Sequence, residues 1–537
     1  MADPGGLVEW ARSRGAVVHE RLAFFAPVPP AAGERGDDGP AERQVVATRP
    51  IRRGELLLEL PPSCVLPPPA ADSPLAEAFD ALEPRPTAFL AAALQLLHLT
   101  ASTCGSAWGP YLAALPRTYP CPSYWSDEQL DRLDGTMVSR DVVRCSPSPP
   151  PPPDHGPPPR RVLTPPLCWL PGCSPQIDRV ERQRLGLDTP ERGSEGCGGP
   201  RHALREAYER YVVPLSSQRP ALFPAERCSL QRFTEACAAV ATRSFNTEGE
   251  GGEAGEDDAG RFMLPLVDML NHCPRSAAAT TLRYEWRESG QHFVMVAESD
   301  LQAGSVVEHS YAELTDGQLA STYGFAILGL GKAAGAWYRS AVDLPWGLLL
   351  RSAGALCQSR RAALERLGVA RAQPCLLLES AWREQAPEPG EEEREEEQEI
   401  AGREQCQGAA ADETRLFARA AAVLAMDDDE ALRRQTEPET EAAAQEDVLA
   451  DLQALCGTHP RLGVLLAGAL RQRDAMYGGA TLEADERRLG DASVCGPERV
   501  ALAVRVGERR LLDALIGHFD TGVHESDAPA AVKRQRT

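Results

Sequence analysis

The sequence predicts an α+β chain followed by a second, helical part. Three observations carry this: strand-like apolar runs with glycine turns at 44–61 and 280–311, helical periodicity from about 74 to 245, and helical periodicity again beyond about 335. A length of 537 residues allows about two to four domains.

Taken in chain order, QVVATRPIRRGELLLELP (44–61) places two apolar runs around Gly54 and reads as a β-hairpin. TAFLAAALQLLHL (87–99) and ALREAYERYV (203–212) follow at helical spacing. In SLQRFTEACAAVATRSF (229–245), Ser229 is the expected N-cap, and Leu230, Phe233, Cys237, Val240 and Ala241 share a face. TTLRYEW and HFVMVA flank a turn at Gly290 (280–297), and SVVEHSY (305–311) reads as a further short strand. Thr315 and Gln318 match a capping box, so a short helix should start there and lead into YGF, 323–325. Later helices are expected over 416–426, 462–477 and 497–519, each with an apolar face.

Three stretches interrupt this order. PSPPPPPDHGPPP (147–159) suits polyproline geometry and an SH3-type ligand but cannot pack a core. EGEGGEAGEDDAG (248–260) is an acidic loop, and GEEEREEEQE (390–399) a solvated acidic tract.

A net charge of -22 argues against a direct nucleic-acid partner and suits a basic protein partner. No run reaches the roughly 18 apolar residues of a membrane span, and the N-terminus lacks the apolar centre of a signal peptide. No membrane partner and a cytoplasmic or nuclear address are therefore expected. The 15 cysteines, Cys168 and Cys173 included, have no metal-ligand spacing and read as reduced thiols.

The stretch LPLVDMLNHCP (264–274) sets Asp268, Asn271 and His272 inside an apolar run. Each would cost about 1–3 kcal/mol if buried without a partner, so the fold or a ligand must satisfy them. Singly, each site residue has a structural reading: helix-end caps for Asp268 and Asn271, a core histidine for His272, a core aromatic for Tyr323. Arg243 would pair with an acid of the 248–258 loop.

Jointly these stretches read otherwise. VVATRPIRRGELLLELP, SAWGPYLAALPRTYPCPSYWS (106–126), ATRSF, LPLVDMLNHCP and SYAELTDGQLASTYGF (310–325) resemble, in order and spacing, the SET-domain protein-lysine methyltransferases of the Rubisco large-subunit methyltransferase-like class. The group of SET-domain-containing proteins three, four and six shares this design. The resemblance implies small β-sheets with knot-like threading, in which DMLNH passes near the strand leading to YGF. It places the SET domain at 40–330 after an N-terminal segment 1–39, with a helical insert at about 74–245, a Pro-rich loop at 146–175 and the acidic loop at 248–260. An all-α substrate-binding domain at 335–522 and a tail at 523–537 follow.

The resemblance further implies S-adenosylmethionine as cofactor, a protein substrate and no metal. Asn271 and His272 would meet the cofactor, Asp268 would help shape its pocket, and Arg243 would sit beside cofactor and substrate. Tyr311 would line the methyl-transfer channel and Tyr323 would be the catalytic tyrosine, favouring lysine over histidine as the acceptor. Basic ribosomal or nuclear clients and a monomeric enzyme are expected.

The chain also departs from the family's pattern. Glu42, Arg43 and Gln44 stand where glycines usually approach the cofactor, Ala312 replaces the glycine after SY, and Asp316 a frequent Asn. These changes leave open a catalytically silent SET-fold scaffold, and the proline run leaves open an adaptor.

Overall fold

The computed structural model describes residues 4–27, 43–138, 199–246, 261–328, 337–369, 375–383, 408–425, 456 and 459–520, except positions 71, 103–106, 117, 275–277, 289 and 313. The proline run, Cys168, Cys173, Glu42, both acidic stretches and the tail lie outside the described residues.

The strands are β1 (Val17–Val18), β2 (Leu22–Pro27), β3 (Arg43–Ala47), β4 (Leu56–Leu60), β5 (Ser244–Asn246), β6 (Arg261–Met263), β7 (Asn271–His272), β8 (Thr280–Arg287), β9 (Gly290–Ala297), β10 (Glu308–His309), β11 (Trp337–Pro345) and β12 (Cys375–Arg383). They form one four-stranded sheet, β1-β4-β9-β8, and four two-stranded pairs, β2-β3, β5-β6, β7-β10 and β11-β12. Most pairs are antiparallel, but β7 and β10 run parallel, with Asn271 opposite Glu308 and His272 opposite His309.

Residues 44–61 do not make the expected hairpin. Both strands exist, but β3 pairs with β2 while β4 lies between β1 and β9. The Gly54 turn is real, at φ 84°, yet its N–H donates to the Ala297 carbonyl at 2.7 Å. That bond ties the turn to β9 instead of closing β3 onto β4. Two strands ahead of residue 40, β1 and β2, thus complete sheets begun after it. The β8–β9 hairpin forms as expected, with Gly290 at φ 111°.

The helices that matter here are α1 (Pro4–Ser13), α2 (Ala88–Ala101), α3 (Gly109–Ala114), α4 (Leu230–Arg243), α5 (Asp316–Tyr323), α6 (Gly408–Ala425), α7 (Pro460–Asp474) and α8 (Gly496–Asp520). Ser229 caps α4 by accepting the Arg232 N–H, and Phe233, Cys237 and Val240 are buried on its inner face. They share a core with Leu94 and Leu97 of α2, Leu58 and Leu60 of β4, and Leu264, Leu266 and Leu270. This core is the apolar run around the three polar residues.

A second core joins Phe417 of α6, Leu466 and Leu470 of α7 and Leu512 of α8 to Val342 and Leu344 of β11. The C-terminal part is therefore not all-α: nine residues of β11 pair with nine of β12. Branched residues at Val342 and Leu344 and the run Leu376–Leu378 suit a half-buried ribbon. Among the described residues no helix is long and apolar enough to cross a membrane.

The two parts are joined by a buried polar knot. Arg473, fully buried, donates to the Gly135 carbonyl (2.8 Å) and to Asp343 (3.2 Å), and pairs with Glu508 at 3.4 Å. Glu508 also accepts the Met137 N–H at 2.9 Å. Each donor has an acceptor, as a buried charge requires.

Candidate active site

The parallel pairing of β7 with β10 decides the site, because it brings residues 271–272 beside the chain that leads to Tyr311 and α5. His272 is buried, and its Nδ1 accepts the Tyr311 N–H at 3.1 Å. Its ring lies 5.0 Å from that of Tyr311, which lies 4.9 Å from that of Tyr323. Phe325 closes the group at 6.0 Å from Tyr323 and 6.1 Å from His272. Tyr311 donates its hydroxyl to the Leu270 carbonyl at 2.8 Å. Burial raises the Tyr311 phenol well above its ordinary range, so it stays protonated at physiological pH.

The neighbouring strand residue differs. Asn271 is half-buried where His272 is turned inward, as alternation along a strand dictates.

Asp268 sits on a short 3₁₀ turn, Val267–Met269, entered through Leu266 at φ 74° and ψ -44°. Leu266 is the one non-glycine residue with positive φ among the described residues, and such a conformation costs about 1–3 kcal/mol. The turn aims the Asp268 side chain inward, where its Oδ2 accepts the Tyr111 hydroxyl at 2.8 Å. Arg243, at the end of α4, donates to the Asp268 carbonyl at 2.5 Å and stands 3.9 Å from Oδ2. Among the described residues the acid that Arg243 meets is Asp268; the 248–258 loop lies outside them. Among the described residues, Asp268 Oδ1 and Arg243 Nε have no partner.

Burial lifts the Asp268 carboxyl to about 6, against the lowering effects of Arg243 and the Tyr111 hydroxyl. A carboxyl raised in the folded state favours folding while protonated; that advantage is complete below about pH 4 and is lost as pH rises through about 6. Asp268→Asn removes the titration. We expect the unfolding free energy of the wild type to fall by about 2 kcal/mol relative to this variant between pH 4 and 7, measured by urea unfolding at each pH. A difference that does not change with pH would contradict the shift.

The fold thus brings together all six residues singled out in the sequence. It adds Tyr111 on α3, Phe325, and His309, whose ring lies 6.4 Å from those of Phe245 and Tyr311. Burial holds His309 down at about 4, so it is neutral at physiological pH. Tyr111 lies within the stretch that resembles the family, and its one sequence signal is a phenol on the inner face of an apolar helix. Arg43 and Gln44 are strand residues of β3, opposite Pro27 and Ala26, and not part of a loop.

The turn after α5 is equally constrained. The Thr315 and Gln318 capping box forms, and Gly324 ends the helix at φ 77°. Asp316, one of the departures noted in the sequence, is buried and accepts the N–H groups of Ile327 (2.7 Å) and Leu328 (3.3 Å). That holds the YGF turn against its own helix.

No family model matches this chain. N-lysine methyltransferase SETD6 of Homo sapiens is 29% identical over 158 residues, which is 28% of this chain and 32% of that protein. The Mus musculus protein of the same name is 24% identical over 286 residues, 52% of this chain and 47% of its own length. The chain thus spans about a third to a half of the curated relatives it matches. Among solved structures, the SET domain of LSMT bound to lysine and AdoHcy superposes with a TM-score of 0.52 at 16% identity, covering 96% of this chain and 91% of that one. Rubisco LSMT bound to AdoMet gives 0.52 at 16%, with the same coverage. The chain therefore has the SET-domain fold.

Proposed function

We propose that this protein is a protein-lysine N-methyltransferase that uses S-adenosylmethionine. The single observation that carries the reading is the stack of His272, Tyr311 and Tyr323, each ring about 5 Å from the next, where two distant segments, β7 and β10, run parallel. The similar structures bound to AdoMet and to lysine, and the relatives named N-lysine methyltransferase, support it.

The residues present fit such a cofactor. A sulfonium is a cation, and the electron-rich ring faces of Tyr311, Tyr323 and Phe325 attract cations. Arg243, which would repel it, is tied to Asp268. Asn271 would hold the cofactor from β7, while His272 acts on it through the chain it fixes. When bound, the cofactor supplies an electrophilic methyl group. Asp268 and Arg243 hold each other and Tyr111, and so position the turn that precedes Asn271.

The acceptor amine must arrive without its proton. A free lysine has a pKa near 10.4, leaving only about 0.1% neutral near physiological pH. Burial in an aromatic passage disfavours the ammonium, and lowering that pKa by about 2 units corresponds to about 2.7 kcal/mol. The Tyr311 hydroxyl, with its proton committed to the Leu270 carbonyl, offers lone pairs that accept an amine N–H and orient the nitrogen. Tyr323 sets the opposite wall, and alignment supplies much of the remaining rate.

In the same reading the polypeptide beyond residue 335 is the platform for a protein substrate, and the knot-like threading closes around β7 and β10. The net charge of -22 favours basic clients, nuclear or ribosomal, met in the nucleus or cytoplasm. A catalytically silent scaffold is the second reading, favoured by Arg43 and Gln44 in the β2–β3 pair where glycines are usual. Incubating the purified chain with methyl-labelled S-adenosylmethionine and a cell extract separates the two. Label in the lysines of a protein band supports transfer, and an unlabelled extract supports the scaffold.

A further inference from the structure

Strand β8 is the outer strand of the four-stranded sheet. Its first residue is held to β10, where the Thr280 hydroxyl donates to the Glu308 carbonyl at 2.8 Å. From Leu282 to Arg287, no strand pairs with its outer side among the described residues. Two large aromatics stand on this stretch, Trp286 at 70% exposure and Tyr284 at 37%. An open edge with exposed aromatics is a template for another strand unless charges guard it.

The charges here do not guard it against a second copy. Arg283, Glu285 and Arg287 alternate in sign on one face, and Glu285 accepts from Arg283 Nε (3.1 Å) and Arg287 Nη2 (3.0 Å). Leu282, Tyr284 and Trp286 occupy the other face, as the two-residue strand period requires. We propose that β8 pairs antiparallel with β8 of a second copy of this chain, about a two-fold axis at Tyr284, in place of the expected monomer.

In that register Arg283 lies opposite Glu285 of the partner subunit, and Glu285 opposite Arg283 of the partner subunit. Leu282 lies opposite Trp286 of the partner subunit, so each exposed indole gains an apolar neighbour. Other registers fail on charge or length. An axis at Arg283 sets that arginine against its own copy, an axis at Glu285 sets glutamate against glutamate, and an axis at Trp286 pairs only the end of the strand. Opposite charges directly across an antiparallel pair stabilise it and like charges destabilise it, so the sequence selects one register. A two-fold axis makes the contact self-complementary and closed. With one short strand from each copy the interface is smaller than that of a permanent dimer, so the association is weak and concentration-dependent. This inference is independent of the methyl-transfer reading.

Sedimentation velocity of the full chain over a concentration series tests it. The wild type should show a monomer–dimer equilibrium. Arg283→Glu places like charges across the axis and should raise the dissociation constant at least tenfold. The double exchange of Arg283→Glu with Glu285→Arg restores opposite charges across the axis and should return wild-type association, which a merely damaged surface would not. A monomer at every concentration, a dimer indifferent to Arg283→Glu, or a double exchange that stays dissociated would each overturn the proposal.

Discussion

Tyr323→Phe is expected to cut methyl transfer by about 100- to 1000-fold while leaving the protein as stable as the wild type. The ring would keep its place 4.9 Å from Tyr311 and 6.0 Å from Phe325, so little packing is lost. What disappears is the hydroxyl of a ring at the end of α5 that lies beside the Tyr311 ring. If that hydroxyl fixes the amine on the transfer line, its loss falls on the transition state, and a drop of that size corresponds to about 3–4 kcal/mol. The check is kcat with labelled cofactor alongside Tm. A variant with wild-type kcat would remove Tyr323 from the chemistry, whereas a large fall in Tm would mean that the hydroxyl serves the fold.

Gly324→Ala should be the most damaging single-methyl change at the site. The residue sits at φ 77°, where a side chain is strained, and a Cβ would come within 1.9 Å of the Pro120 carbonyl oxygen. That oxygen already accepts the Trp125 indole N–H at 2.7 Å, so neither backbone segment can retreat cheaply. Conformational strain and overpacking together should lower stability by roughly 3 kcal/mol or more. Thermal unfolding should show a fall of several degrees in Tm, and Tyr323 and Phe325, which flank the glycine, should lose their alignment. An unchanged Tm would contradict the tight packing of this turn on the 120–121 segment.

Much of this architecture was legible locally. Ser229, the Thr315 and Gln318 pair and Gly290 act on their own neighbours, so a window of a few residues carried the signal for α4, α5 and the β8–β9 hairpin. The 44–61 hairpin misled because Gly54 does make a turn, but strand partners are chosen over long range: β4 is claimed by β1 and β9, and β3 by β2. The β11–β12 ribbon escaped because its partners lie thirty or more residues apart, with two helices between them among the described residues. The site residues were legible only as a joint pattern. Asp268 reveals its place only through Tyr111 and Arg243, at sequence separations of 157 and 25, and nothing in the local sequence signals that Leu266 adopts a positive φ.

The claim on which the rest stands is that β7 and β10 frame a site for a methyl donor. It is tested most directly by calorimetric titration of S-adenosylhomocysteine into the purified protein and into Asn271→Ala. We predict one saturable site in the wild type, weakened at least tenfold in the variant at an unchanged Tm. A flat titration with a folded wild-type protein, or equal affinity in both, would contradict it.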